Sequence, residues 1–164
     1  MGVGGKFTKP EQLAAGSKLE NFKSGLPIVD SWAHNHAHMA KKRGTAVVYV
    51  SYTADHATPA GFYTLSSHSI ERASVGGGWL KRNAPEQVPA VLLGMLGVDA
   101  RFQGQGLGSA LLADAIARSL GIADSLGAKA LVVDPASEEA RGFYERSGFA
   151  PIPGSSRMYL PLKL

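Results

Sequence analysis

Apolar and polar positions along the chain fall into two periods, and the switches between them mark the predicted elements. Residues 1–20 are weakly patterned and read as a loosely held start with one short helix or strand. Residues 30–42 lack glycine and proline and end in a basic cluster before Gly44, which predicts a helix and its stop. Residues 45–53 are rich in β-branched and aromatic side chains and read as a strand. A turn cluster at 55–59 and a second strand at 61–67 complete an antiparallel hairpin. Gly76, Gly77 and Gly78, followed by residues 81–85, mark a long exposed loop.

A third strand, 88–98, is interrupted by Gly94 and Gly97, the mark of a bulge or of a close-lying ligand. A glycine-rich loop over 102–108 leads into a long helix. Its apolar stripe is read at Leu112, Ile116, Leu120 and Ala123, and Gly127 is its stop. Residues 130–134 form a short, continuously apolar strand of the buried kind. Ser137 caps the next helix, with Glu138 and Glu139 at its positive end, and Gly148 ends it. Two strands, from Phe149 and over 158–162, close the chain. No repeat or linker interrupts this order. It predicts a mixed α/β (α+β) chain forming a single domain over 1–164.

Composition narrows the function. At 164 residues, 45% hydrophobic and 18% charged, the chain buries a core. The absence of cysteine excludes thiolate metal sites, disulfide frameworks and cysteine nucleophiles. No apolar run suits a signal peptide or approaches the roughly 18 residues that span a bilayer. A soluble, cytoplasmic protein with no membrane association is the expectation. The net charge of +4 favours anionic partners, nucleic acid among them. Many enzymes without such partners carry as much, so charge alone leaves the question open.

The segment richest in chemistry is the third strand with Asp99, Arg101, Phe102, Gln103, Gly104, Gln105, Gly106, Leu107, Gly108 and the helix behind them. Glycines let backbone N–H groups converge, and a helix N-terminus adds free donors and positive dipole, so the segment reads as a phosphate cradle. A nucleotide P-loop requires Gly-Lys-Ser/Thr at its end, which is absent. A dinucleotide fold requires its glycines directly after the strand. Asp134 sits where such a fold would hold a ribose, but the antiparallel segments upstream argue against a doubly wound sheet.

Arg101-x-x-Gly104-x-Gly106 resembles the coenzyme-binding signature of the GNAT acetyltransferase superfamily. The downstream segment from Glu139 through Phe143, Tyr144 and Glu145 to Gly148 and Phe149 resembles its second landmark, in the right order and spacing. Phe22 to Gly25 with Asp30 and Trp32, then Gly61 to Ser66, and Arg82 to Pro85 with Val88 and Pro89 narrow the resemblance. They are similar to the acetyltransferase toxins of ribbon-helix-helix/GNAT toxin–antitoxin modules, over roughly residues 20 to 162. The resemblance implies a central, mostly antiparallel sheet with a splayed strand pair and flanking helices. It also implies acetyl-CoA as donor, the amino group of aminoacyl-tRNA as acceptor, a homodimer, and a ribbon-helix-helix antitoxin as partner.

Site residues follow from the same resemblance. Leu96, Gly97 and Val98 would pair with the pantetheine arm. Gln103, Gly104, Gln105, Gly106, Leu107, Gly108 and Ser109 would hold the pyrophosphate, with Arg101 as charge partner, although Arg101 also reads as an ordinary surface arginine. Tyr144 occupies the general-acid position, and a phenol with pKa near ~10 suits a departing thiolate. The competing reading is a core tyrosine; Phe143 is expected in the core with Tyr144 facing the other way. No base is marked by motif.

Lys41 and Lys42, beside Arg43, and Lys81 with Arg82 are candidates for tRNA phosphate contact, against the reading of solvated helix ends. Trp79 is either a stacking residue or a lid on the core. His34 and His38 would share a helical face as zinc pairs do, but no third ligand or glutamate accompanies them, and no metal is expected. Two other functions stay open: a small-amine or protein N-acetyltransferase, and a non-catalytic coenzyme- or nucleotide-binding module.

Overall fold

The computed structural model describes residues 5–71 and 86–163. The predicted loop with Trp79, Lys81 and Arg82 lies outside the described residues. Strand β1 (Glu11–Gln12) is followed by α1 (Pro27–Asn35), α2 (Ala37–Arg43), β2 (Val47–Tyr52), β3 (Pro59–Glu71) and β4 (Gln87–Val98). After a single 3₁₀ turn (Ala100–Phe102) come α3 (Leu107–Ser125), β5 (Ala130–Val133), α4 (Glu138–Arg146), β6 (Ala150–Pro151) and β7 (Met158–Pro161). The strands form one seven-stranded sheet in the order β1-β2-β3-β4-β5-β7-β6, the mixed α/β architecture expected. Pairs β1–β2, β2–β3, β5–β7 and β6–β7 are antiparallel, and β4–β5 is parallel. No helix among the described residues is long and apolar enough to cross a membrane.

Two compact units divide the chain, Met1–Ser66 with Gly94–Ala115 and Ser67–Leu93 with Ile116–Leu164. In the first, both faces of the hairpin β2–β3 are covered, which is why β2 is apolar on both sides rather than alternating. One face presents Val48, Val50 and Phe62 to Phe22, Val29, Ala33, Ala37 and Ala40. On the other, Tyr49 stacks on Tyr63 with ring centroids 5.1 Å apart. The Tyr63 phenol donates to Asp114 Oδ2 on α3 at 2.5 Å. Small residues permit the close approach: a Cβ on Gly61 would lie 2.8 Å from Leu111 Cδ1, and one on Gly97 would lie 2.7 Å from Val29 Cγ1.

The second unit is built on the parallel register Ala90↔Ala130 to Leu93↔Val133 and the antiparallel register Ala130↔Pro161 to Val133↔Met158. β5 is buried along its whole length, as its unbroken apolar run predicts. Ile70, Val88, Ala90, Ala130, Val132 and Ile152 pack as one cluster. Ser137 caps α4 by accepting from the Ala140 N–H at 3.1 Å.

Three expectations need correction. The helix read over 30–42 is two helices, broken at His36 (φ −124°, ψ −25°), and it starts earlier because Pro27 supplies a pre-set first turn. The break lets Val29 and Ala33 of α1 and Ala37 and Ala40 of α2 all reach the same core. The stripe on α3 is displaced: Leu107, Leu111, Leu112, Ala115, Ser119 and Ala123 are buried, while Ile116 and Leu120 are half-buried. Short side chains make the tight seam, which a search for large apolar residues passes over. Finally, β3 extends beyond the predicted 61–67, to Glu71.

Candidate active site

The end of β4 is organised by a carboxylate. Asp99, 2% exposed, caps the 3₁₀ turn that follows the strand. Its Oδ1 accepts from the Arg101 backbone N–H at 3.1 Å and from Arg101 Nε at 2.9 Å, and its Oδ2 accepts from the Lys23 N–H at 3.1 Å. Burial pushes this carboxyl up, but the bonds from the Arg101 side chain and from the two backbone N–H groups outweigh it and hold it below the ordinary aspartate range. The Arg101 guanidinium is thereby oriented, with its side chain still 59% exposed and its Cζ 5.3 Å from the Phe102 ring centroid.

The same turn is fastened from two further directions. Asp30 on α1 accepts from the Ser24 N–H at 2.8 Å, the Ser24 hydroxyl at 2.7 Å and the Gly25 N–H at 3.1 Å. Gln103 Nε2 donates to the carbonyls of Ser24 at 2.8 Å and Val98 at 2.9 Å. Two of the sequence segments, 22–30 and 99–103, therefore form one polar staple. Both N–H bonds of the Gln103 amide are committed to positioning the loop, so toward an anion Gln103 offers its backbone N–H rather than its side chain.

Beyond Gln103 the chain is open. Gly104 and Gly106 take φ of +77° and +84°, a region disfavoured for side-chain-bearing residues, and Gln103 to Gly106 are exposed. Helix α3 starts at Leu107, and Ala110 N–H is the donor that reaches back to the Gly106 carbonyl, at 3.1 Å. The N–H groups of Leu107, Gly108 and Ser109 thus precede the first intrahelical bond and project from a positive helix end. This arrangement fits a pyrophosphate.

The β4–β5 ladder ends at Leu93↔Val133, before β4 itself ends at Val98. The predicted pantetheine residues Leu96, Gly97 and Val98 lie in this splayed portion. The two glycines expected to mark a bulge or a ligand serve contacts within the chain. A Cβ on Gly94 would meet Thr64 Oγ1 at 2.8 Å, and that hydroxyl accepts from the Met95 N–H at 2.9 Å. Gly97 makes room for Val29 and the Phe22 ring.

In the second unit, Tyr144 is 7% exposed on α4 and packs edge-on against Phe149 at 5.3 Å and Phe143 at 5.2 Å. Phe143 is the half-buried member of the pair, the reverse of the expected assignment, because the 143–149 turn folds Phe149 over the tyrosine rather than over the phenylalanine. Among the described residues the Tyr144 hydroxyl has no hydrogen-bond partner. Burial pushes its phenol above the ordinary value, so it remains a proton donor through neutral pH.

The remaining candidates lie elsewhere. Lys41 donates through Nζ to Gln12 Oε1 at 2.6 Å, and Lys41 and Lys42 line a cavity of about 610 Å³ with Leu13, His38 and Val48. His34 and His38 fall on different helices, so the shared face does not form, and His34 Nε2 lies 2.6 Å from the Phe22 carbonyl oxygen. Among the described residues no group of three or more histidines, aspartates or glutamates is placed to hold a metal. Sequence reasoning places Asp99 and Asp30 within motif segments but assigns neither a role. The signal for Asp99 was its place at a strand end two residues before the signature arginine, a capping position.

Comparisons with known proteins agree with this geometry. Residues 68–151 match the acetyltransferase (GNAT) domain family. The tRNA-acetylating toxin of Mycobacterium tuberculosis (strain ATCC 25618 / H37Rv) is 36% identical over 143 residues, covering 87% of this chain and 84% of the toxin. The structure of AtaT complexed with acetyl-methionyl-tRNAfMet superposes with a TM-score of 0.85 at 26% identity, covering 94% of each chain. A mutant AtaT toxin bound to acetyl-CoA and the C-terminus of the antitoxin AtaR gives 0.81 at 25% identity, covering 96% of this chain and 94% of that one.

Proposed function

Because this chain belongs to the GNAT acetyltransferases and is a relative of the tRNA-acetylating toxins, we propose that it transfers acetyl from acetyl-CoA to the amino group of aminoacyl-tRNA and so blocks translation. The observation that carries the reading is the opened cradle at Gly104, Gly106 and the α3 N-terminus, behind a strand whose ladder stops short of its end. When bound, acetyl-CoA supplies an activated thioester acyl group. Leu107, Gly108 and Ser109 bind its pyrophosphate through backbone N–H groups, and Arg101 adds charge from the position Asp99 fixes. Leu96, Gly97 and Val98 hold the pantetheine arm along the splayed strand. Tyr144 keeps its proton in the resting site and would deliver it from the phenol oxygen to the leaving sulfur as the amine attacks. The proton that the nitrogen loses on becoming an amide would return to the phenolate through water.

The whole chain acts as one acetyltransferase domain in this reading. Lys41, Lys42, Lys81 and Arg82 contact tRNA phosphates, the protein works in the cytoplasm as a homodimer, and a ribbon-helix-helix antitoxin neutralises it. Support for the acceptor comes from the relatives' names and from the net charge of +4. A cell-free translation reaction tests the reading. Added protein stops synthesis when acetyl-CoA is present and leaves it running when acetyl-CoA is withheld; arrest independent of acetyl-CoA contradicts it.

A further inference from the structure

In the second unit, Arg157 makes no ion pair among the described residues. Arg157, immediately before β7, is half-buried, and its Nη1 donates to Nε2 of His68 on β3 at 2.8 Å. Among the described residues its side chain has no carboxylate partner. Since Nε2 accepts, the imidazole is the neutral Nδ1–H tautomer. Burial first and the adjacent guanidinium second hold its pKa below the ordinary histidine value, which keeps it neutral at physiological pH.

A neutral ring orients the guanidinium through one of its five N–H donors without cancelling its charge. The backbone is held as well: the Arg157 N–H donates to Ser155 Oγ at 3.1 Å, in a turn that passes through Gly154 at φ +78°. Arg157 and His68 line a cavity of about 250 Å³ with Ser69, Gly154, Ser155 and the exposed Glu71. That is below the roughly 300–1,000 Å³ of pockets that enclose whole small molecules, but it has room for a single oxyanion group. A guanidinium that is oriented, and that among the described residues forms no ion pair and spends one donor on His68, is suited to bidentate phosphate binding.

We propose that Arg157, oriented by His68, is a phosphate subsite that takes one backbone phosphodiester of the polynucleotide acceptor. The inference rests on the aminoacyl-tRNA reading above. Arg157 binds and positions the substrate and takes no part in the proton transfers.

The test follows acetylation of aminoacyl-tRNA between about 50 and 200 mM salt, for the unsubstituted protein, Arg157→Gln and His68→Ala. Arg157→Gln is expected to raise KM for aminoacyl-tRNA about tenfold, with kcat and the KM for acetyl-CoA within about twofold. It is also expected to flatten the slope of log(kcat/KM) against log[salt] by about 0.7–0.9, one phosphate's worth. His68→Ala is expected to raise the same KM several-fold with the slope intact, and it carries the test where Arg157→Gln does not fold. An unchanged KM or an unaltered slope in folded Arg157→Gln overturns the inference, as does a loss confined to kcat or to acetyl-CoA. An unchanged KM in His68→Ala overturns it too. If the unsubstituted protein acetylates no aminoacyl-tRNA, the functional reading falls and takes this inference with it; if it does and Arg157→Gln is indifferent, only the inference falls.

Discussion

Asp99 accepts three bonds from Arg101: Oδ1 takes the backbone N–H at 3.1 Å and Nε at 2.9 Å, and Oδ2 takes Nη2 at 3.3 Å. The first bond shapes the turn and the second aims the side chain, so Asp99 places the charge proposed for the coenzyme phosphates. Asp99→Asn puts an amide donor among N–H donors. It is expected to cost about 1–3 kcal/mol of stability and to weaken acetyl-CoA binding, read by chemical denaturation and by titration with acetyl-CoA.

The pH dependence of stability follows from Asp99 and Asp30. For Asp99, burial raises the pKa and the bonds from Arg101 and Lys23 more than reverse it; for Asp30, burial is likewise outweighed by the Ser24 and Gly25 bonds. Both folded-state values lie below the unfolded aspartate value of about 4. Their contribution is therefore full above about pH 4 and is lost as pH falls through the depressed folded values. Melting temperature against pH is expected to fall on the acid side below about 4, and the fall is expected to be shallower in Asp99→Asn.

Tyr144→Phe removes one hydroxyl with no hydrogen-bond partner among the described residues and keeps the ring between Phe143 and Phe149. Melting temperature and acetyl-CoA affinity should stay near those of the parent, while kcat drops by about 10²-fold or more. Because burial raises the phenol's pKa, loss of the tyrosine proton should cause no decline in kcat below about pH 10. Undiminished turnover in the folded variant contradicts the general-acid role.

Gly106 holds φ at +84°, where a side chain costs about 1–2 kcal/mol. Acetyl-CoA at 100 times its Kd is expected to stabilise the parent by about 2.7 kcal/mol, and NAD is expected to leave the melting temperature unchanged. Gly106→Val should lower the ligand-free melting temperature and abolish the shift with acetyl-CoA. A shift with NAD and none with acetyl-CoA contradicts the assignment of the cradle.

Much of this was legible along the chain, and the failures have local causes. The strands β2 and β5 announce themselves because β-branched and apolar residues dominate where both faces are covered. Ser137 and Gly44 mark helix ends through capping chemistry that depends on a few neighbours. The break at His36 carries no proline or glycine, since it is imposed by the core that both helices share. The seam of α3 hides in Ala115 and Ser119, whose value lies in being small. Arg101, Gly104 and Gly106 were found as a motif, whereas their support from Lys23, Ser24 and Asp30 depends on contacts across more than seventy residues of chain. The His68–Arg157 pair is out of reach for the same reason.

In the proposed reading, the lysines of α2 with Lys81 and Arg82 contact the acceptor's phosphates. Charge reversal at Arg82 is expected to depress acetylation of aminoacyl-tRNA strongly while acetyl-CoA affinity stays unchanged, and Lys41→Glu with Lys42→Glu is expected to give a weaker, additive loss. Each phosphate contact removed should flatten the salt dependence of kcat/KM.

The most direct measurement is transfer of labelled acetyl from acetyl-CoA to charged tRNA by the purified protein, with uncharged tRNA and free polyamines in parallel. The modified amine belongs to the amino acid, so label is expected on charged tRNA alone. Transfer is expected to decline steeply as salt rises, because phosphate contacts release counterions. Label on polyamines alone, with a flat salt profile, would contradict the account and leave an acetyltransferase of small amines.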